Sequence, residues 1–97
     1  MDPEKKQIES VIEGLQKEIN QSLQLVINER MRQLSKWGVR SLEYGDWLKI
    51  LVEEVGELAE AMLDHEEEPH RVSILKEATQ VAAVAVAIME QCVYDRA

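Results

Sequence analysis

Apolar residues recur along the first third of the chain at Ile8, Val11, Ile12, Leu15, Ile19, Leu23, Val26 and Ile27. That spacing draws a stripe of period about 3.6, the mark of an amphipathic helix. The stripe continues through Met31 and Leu34 and stops at Lys36-Trp37-Gly38. Asp2 can cap its start, Pro3 suits the first helical position, and Gly38 suits the C-terminal cap. A helix of that length is long for a globular chain, so a break at Gly14 or at Asn20-Gln21-Ser22 is the alternative. Gly38 to Gly45 then reads as a loop. Asp46 is the expected N-cap of a second helix ending near Asp64, with its core stripe at Leu48, Leu51, Val52, Val55, Leu58, Ala59 and Met62. Glu53, Glu57, Glu60 and Asp64 fall on the opposite face, and Glu54 at the edge between the two. His65 to Pro69 forms a short acidic link, after which Pro69 opens a third helix to about Tyr94. Strand-type alternation is nowhere sustained, so the fold class is all-α, in a single domain over 1–97.

The third helix differs from the others. From Ala78 to Met89 only Thr79 and Gln80 are polar. A helix that is apolar all round must be buried on every side, and two neighbours from one short chain cannot cover it. The economical solution is self-association, with third helices packing across a symmetry axis.

Composition sharpens this picture. The net charge of −8 argues against sequence-independent nucleic-acid binding, which needs a basic face. It leaves room for a phosphorylated small molecule, because carboxylates can reach phosphate through a divalent cation. Residues 1–20 show no apolar central run of the signal-peptide kind. The longest apolar run, Val81 to Met89, is too short to span a bilayer. The one cysteine, Cys92, reads as a small buried hydrophobe and fits a reducing cytoplasm. The expectation is a soluble cytoplasmic protein with no membrane partner.

Two acidic clusters could carry chemistry. Glu53-Glu54-Val55-Gly56-Glu57 lies on the second helix and Glu77-Ala78-Thr79-Gln80 on the third. Each holds a polar pair spaced i, i+3, so both side chains leave one helical face. Pairs of that kind on facing helices can converge on one cation, and oxygen ligands suit Mg²⁺ or Mn²⁺. The first cluster alone is weak, since an acidic helix face is usually only solvated. The second says more, because Glu77 and Gln80 open the most apolar helix, where an unpaired carboxylate is costly. A cation could compensate it, and so could Lys36, Lys49 or Lys76. On the residues alone, salt bridging is the more common outcome.

Glu53-Glu54-Val55-Gly56-Glu57-Leu58-Ala59-Glu60-Ala61 resembles the E-E-x-x-E motif of the MazG-like, all-α nucleoside triphosphate pyrophosphohydrolases. Glu77-Ala78-Thr79-Gln80 falls at the separation of the second motif, E-x-x-D. Glu29-Arg30, Gln33 and Lys36-Trp37-Gly38 resemble the run that precedes the first motif. The likeness covers about residues 26–92, which makes 26–94 a family-like core and 1–25 an N-terminal helical extension. It departs at Gln80, where the family has aspartate. An amide oxygen can still coordinate, but it brings no charge.

The resemblance implies an antiparallel helical bundle of the MazG-like type, completed by assembly into a homodimer or homotetramer. It implies Mg²⁺-dependent cleavage of a nucleoside triphosphate between the α and β phosphates, with Mn²⁺ as a substitute. Glu54, Glu57 and Glu77 would be metal ligands and Gln80 a weakened fourth. Glu53 would hold a second metal or activate the attacking water. Trp37 and Trp47 flank the loop before the second helix, and either could stack on a base; for each taken singly, an anchor in the core is the plainer reading. Arg30, Lys36, Arg40 and Lys49 could contact phosphates, or be ordinary solvated surface; Lys36, beside Trp37 in the family-like run, is the preferred one. His65 and His70 read as surface residues. Two other functions stay open: a degenerate nucleotide binder without turnover, favoured by Gln80, and a purely structural helical oligomer.

Overall fold

The computed structural model describes residues 2–64 and 70–94. The expected acidic link from His65 to Pro69, with Pro69 as helix opener, lies outside the described residues. Three helices form: α1 Pro3–Trp37, α2 Tyr44–Leu63 and α3 His70–Tyr94. No strand occurs among the described residues. The all-α expectation therefore holds.

α1 runs unbroken through Gly14 and Asn20-Gln21-Ser22. Asp2 caps it by accepting from the Glu4 N–H at 3.1 Å. Gly38 ends it at φ 71°, a conformation that side chains with a Cβ disfavour, and its N–H closes on the Leu34 carbonyl at 2.8 Å.

α2 departs from the expectation in two ways. It starts at Tyr44, with Glu43 in the N-cap position and no side-chain cap. Asp46 is instead a first-turn acid, 3.7 Å from Lys49. The inward face is also rotated. Trp47 is buried, and Leu42, Ile50 and Leu51 pack with it against Val84, Ala87 and Ile88 of α3. Leu48, Val52, Val55 and Met62 of the expected core stripe are exposed. The helix carries two apolar faces, and periodicity cannot rank them. The one bearing Trp47 wins because a large aromatic ring takes more surface from water than any aliphatic on the other face.

α3 is the central helix and packs on both α1 and α2. It runs antiparallel to α2: Trp47, early in α2, meets Gln91, late in α3, while Glu57 and Glu77 meet at the other end. It is not buried all round. Ala83, Val84, Ala87 and Gln91 are buried, most of Ala78–Ile88 is half-buried, and Met89 is exposed. Cys92 is exposed rather than buried, with its sulfur 3.6 Å from the Tyr44 hydroxyl. It follows the buried Gln91 by one residue, and the turn of about 100° per residue takes it off α3's inward face. Although its longest apolar run is short, α3 as a whole is long and apolar enough to cross a membrane by length and composition. In this fold it instead turns Gln91 and the end bearing Glu77 and Gln80 toward α2.

Candidate functional site

The rotation of α2 sets up the site. With Trp47 inward, the positions one and two turns on along the same face also look at α3. Glu54 is therefore half-buried rather than at an edge. Glu57 joins it opposite Glu77. One ligand oxygen from each of Glu54, Glu57 and Glu77 lies within 4.8 Å of the others. Two helices thus bring together the three carboxylates expected as metal ligands.

Gln80, one turn past Glu77, sits beside them. With its amide nitrogen turned to the cluster, it donates to Glu77 Oε2 at 3.1 Å and to Glu54 Oε2 at 3.3 Å. In the opposite orientation its oxygen would face only acceptors, an arrangement that a cation would stabilise and a metal-free site would not. The amide can thus serve either state.

The crowding shows in protonation. Burial and the charges of Glu57 and Glu77 push the Glu54 carboxyl above its ordinary value, with Glu29 and Glu53 adding to the effect. Glu77 is also pushed up, by burial, by the charge of Glu57 and by a hydrogen bond with it, against the opposing pull of Lys76. Glu29 is held low by its hydrogen bond to Arg32, at 2.6 Å.

A testable consequence follows for the metal-free protein. A carboxyl whose folded-state pKa is raised contributes stability below its unfolded value, near 4.5, and loses it as pH rises through the folded value. The stability of the wild type relative to Glu54→Gln should therefore fall as pH climbs from 4.5 toward neutrality in EDTA. Paired thermal melts across that range measure it. A difference that does not vary with pH would mean that Glu54 feels no such crowding.

Next to the cluster lies a cleft of about 70 Å³, lined by Arg30, Gln33, Trp37, Arg40, Trp47 and Glu54 among others. Glu54 thus belongs to both the cluster and the cleft. The substrate-side residues are distributed unevenly. Trp37 is half-exposed at the rim, with the Lys36 ammonium 5.0 Å and the Arg40 guanidinium 4.9 Å from its ring centre. Trp47 forms the inner wall and donates its indole N–H to Gln91 Oε1 at 2.8 Å. Arg30 is engaged by Glu90 at 2.6 Å and by Gln33 at 3.0 Å. Lys49 points to Asp46 and does not line the cleft. Glu53 is exposed and lies outside the close triad, though near enough to act on Glu54 electrostatically.

Sequence reasoning did not single out Gln91 or Glu90. Gln91 is almost fully buried. Its oxygen accepts from Trp47 and from the Leu42 N–H at 3.1 Å, and its nitrogen donates to the Leu42 carbonyl at 2.9 Å. It therefore holds the loop after α1 and the start of α2 against α3. The signal was present: a lone amide late in an apolar helix is as costly without partners as Gln80 is.

No family model matches the chain, and no curated protein or solved structure does so either.

Proposed function

We propose that the chain is a Mg²⁺-dependent nucleoside triphosphate pyrophosphohydrolase acting on (d)NTPs. The observation that carries this reading is the convergence of Glu54, Glu57 and Glu77 from two helices at the edge of a cleft that also holds Trp37, Trp47 and Arg30. The donor set is all hard oxygen and anionic, as Mg²⁺ or Mn²⁺ requires. Oxygens on opposite sides of Mg²⁺ stand about 4.2 Å apart, from bond lengths near 2.1 Å. Adjacent oxygens stand about 3.0 Å apart, so a triad spread over at most 4.8 Å would have to draw in by rotamer changes to close on the ion.

When bound, the cation would neutralise phosphate charge and lower the pKa of an attacking water. The remaining work belongs to the chain. Glu54, Glu57 and Glu77 hold the ion, and Gln80 turns its amide oxygen or nitrogen to the cluster according to occupancy. Glu53, exposed beside Glu54, is the group free to take a proton from water. Trp37 offers an indole face at the rim for a base. Arg40, which lines the cleft, and Lys36, which lies on the same indole but outside that lining, would be the cations to meet phosphate oxygens. Arg30, engaged by Glu90, stiffens the cleft wall in this arrangement. The exposed faces of α2 and α3 support assembly into a homodimer or homotetramer. The acidic charge supports a small-molecule substrate over nucleic acid.

A second reading is supported by the Gln80 amide. Two hydrogen bonds to Glu54 and Glu77 stabilise a metal-free cluster, which suits a nucleotide binder without turnover. Pyrophosphate release across canonical and modified (d)NTPs, with Mg²⁺ or Mn²⁺, separates the two. Glu57→Gln should lower Mg²⁺ affinity at least tenfold in calorimetric titration and leave the fold intact, since Glu57 is exposed. Unchanged affinity would remove Glu57 from the ligand set. Nucleotide binding without pyrophosphate release would replace the enzyme by the binder.

A further inference from the structure

The first half of α1 carries an apolar seam that nothing among the described residues covers. Ile8, Val11, Ile12, Leu15, Ile19 and Leu23 are each between 51% and 59% exposed. They lie on the face that, further along the same helix, packs on α3. There Arg30 meets Glu90, and Gln33 and Trp37 wall the cleft together with Val84 and Ala87. One face of one helix is thus covered over its second half and bare over its first. A projecting helix with no tertiary contact is marginal by itself in water, and a bare stripe of this size marks an interaction surface.

We propose that this seam pairs with the same seam of a second copy, in antiparallel orientation. Ile8, Ile12, Leu15 and Ile19 follow the 4-3-4 spacing of a coiled-coil core. Antiparallel pairing sets Ile12 against Leu15 of the other copy and Ile8 against Ile19. The flanking positions then match without conflict: Glu9 meets Gln16 of the other copy, Glu18 meets Val11, and Lys5 meets Ser22. Parallel pairing would set Lys5 on Lys5 and Glu4 on Glu9, both like-charged. Sterics favour the same choice. In a parallel pair the second α1 would run along the face that α3 already occupies. In the antiparallel pair each copy's α3 lies beyond the end of the other's seam. Pairing two such stripes removes on the order of 1,000 Å² from water, at the lower bound for a specific interface. The inference goes beyond the pyrophosphohydrolase reading and does not depend on it, because these residues precede the site.

Cysteine cross-linking in a Cys92→Ser background tests both partner and orientation. A mixture of Ile8→Cys and Ile19→Cys chains should form a disulfide-linked pair on mild oxidation, and neither variant alone should do so. Linkage of either variant with itself would overturn the antiparallel arrangement, and absence of linkage in the mixture would overturn the pairing. Sedimentation equilibrium supplies the second measurement. Ile12→Glu/Ile19→Glu should halve the mass at micromolar concentration, and Lys17→Glu, on the far side of the helix, should leave it unchanged. Ile12 and Ile19 lie outside the buried core, so the fluorescence of Trp37 and Trp47 should stay native. A wild-type chain that sediments as a monomer, or an assembly whose mass survives the double substitution, would overturn the proposal.

Discussion

Gln91→Leu should remove about 3 kcal/mol or more of folding stability, the largest loss expected from any single side chain in the core. Leucine fits the space but satisfies none of the groups that Gln91 serves. The Trp47 indole N–H, the Leu42 N–H and the Leu42 carbonyl would all lose their partner. Each buried polar group left unsatisfied costs roughly 1–3 kcal/mol. For a domain of this size the loss corresponds to a fall in Tm of about 10–20 °C. Melts must be compared at one protein concentration, since association adds to apparent stability. Two companions locate the effect. Trp47→Phe removes one donor but leaves Gln91 bonded to Leu42, so its loss should be smaller. Gln91→Glu keeps the acceptor and buries a carboxyl, whose pKa burial raises, so its penalty should grow as pH rises. A Gln91→Leu protein within about 0.5 kcal/mol of wild type would show that water or backbone adjustment replaces the bonds.

That network also explains what the sequence made legible and what it did not. The boundaries of α1 were readable because Asp2, Pro3 and Gly38 act locally, through capping and φ preference. The antiparallel pairing of the last two helices was expected only through the family resemblance. The inward face of α2 was not. Both Trp47-Ile50-Leu51-Leu58 and Leu48-Val52-Val55-Met62 recur at helical spacing, and the choice depends on what stands across from them. The Trp47 ring makes that choice by packing on Val84 and Ala87, and Gln91, 44 residues away in sequence, satisfies its N–H there. Burial of α3 misled for a related reason. Apolar composition states how much surface needs covering, but not whether the same chain or another copy covers it.

The carboxylate cluster was legible because i, i+3 spacing fixes which side chains share a helix face. Its resemblance-based assignment to Glu54, Glu57 and Glu77 required the two helices to meet at the right height, and the antiparallel packing provides that. The cleft was less readable. Trp37 and Trp47 are ten residues apart in the chain and were equivalent by position, yet one is a rim residue and the other a buried wall. Lys49, two residues past the buried Trp47, points away from the cleft because a helix turns about 100° per residue. Arg30 was expected as a free cation and is instead held by Glu90, a partner no local pattern could supply.

Gln80→Asp should divide the behaviour of the protein according to metal. With its nitrogen turned to the cluster, the amide donates to Glu77 and Glu54, two carboxyls whose protonation is already raised by their crowding. Aspartate cannot donate when ionised. The substitution therefore removes two charge-assisted hydrogen bonds and adds a fourth negative group. In EDTA the protein should lose about 2 kcal/mol at neutral pH. The loss should shrink as the pH falls toward 4.5, where protonation relieves the repulsion. With Mg²⁺ the sign reverses, because a fourth carboxylate adds charge to an oxygen site and ligand charge raises the affinity for hard cations. Thermal melts of wild type and variant, each with Mg²⁺ and with EDTA, read both effects. The gain on adding Mg²⁺ should be larger for Gln80→Asp by several degrees, and calorimetric Mg²⁺ affinity should tighten about tenfold. Pyrophosphate release should then rise if turnover is limited by metal occupancy. Equal shifts in Mg²⁺ and EDTA would place Gln80 outside the ion's reach. A variant destabilised in EDTA with no Mg²⁺ response at all would leave the Glu54, Glu57 and Glu77 cluster as a proton-sharing group in the helix interface, with no role for a cation.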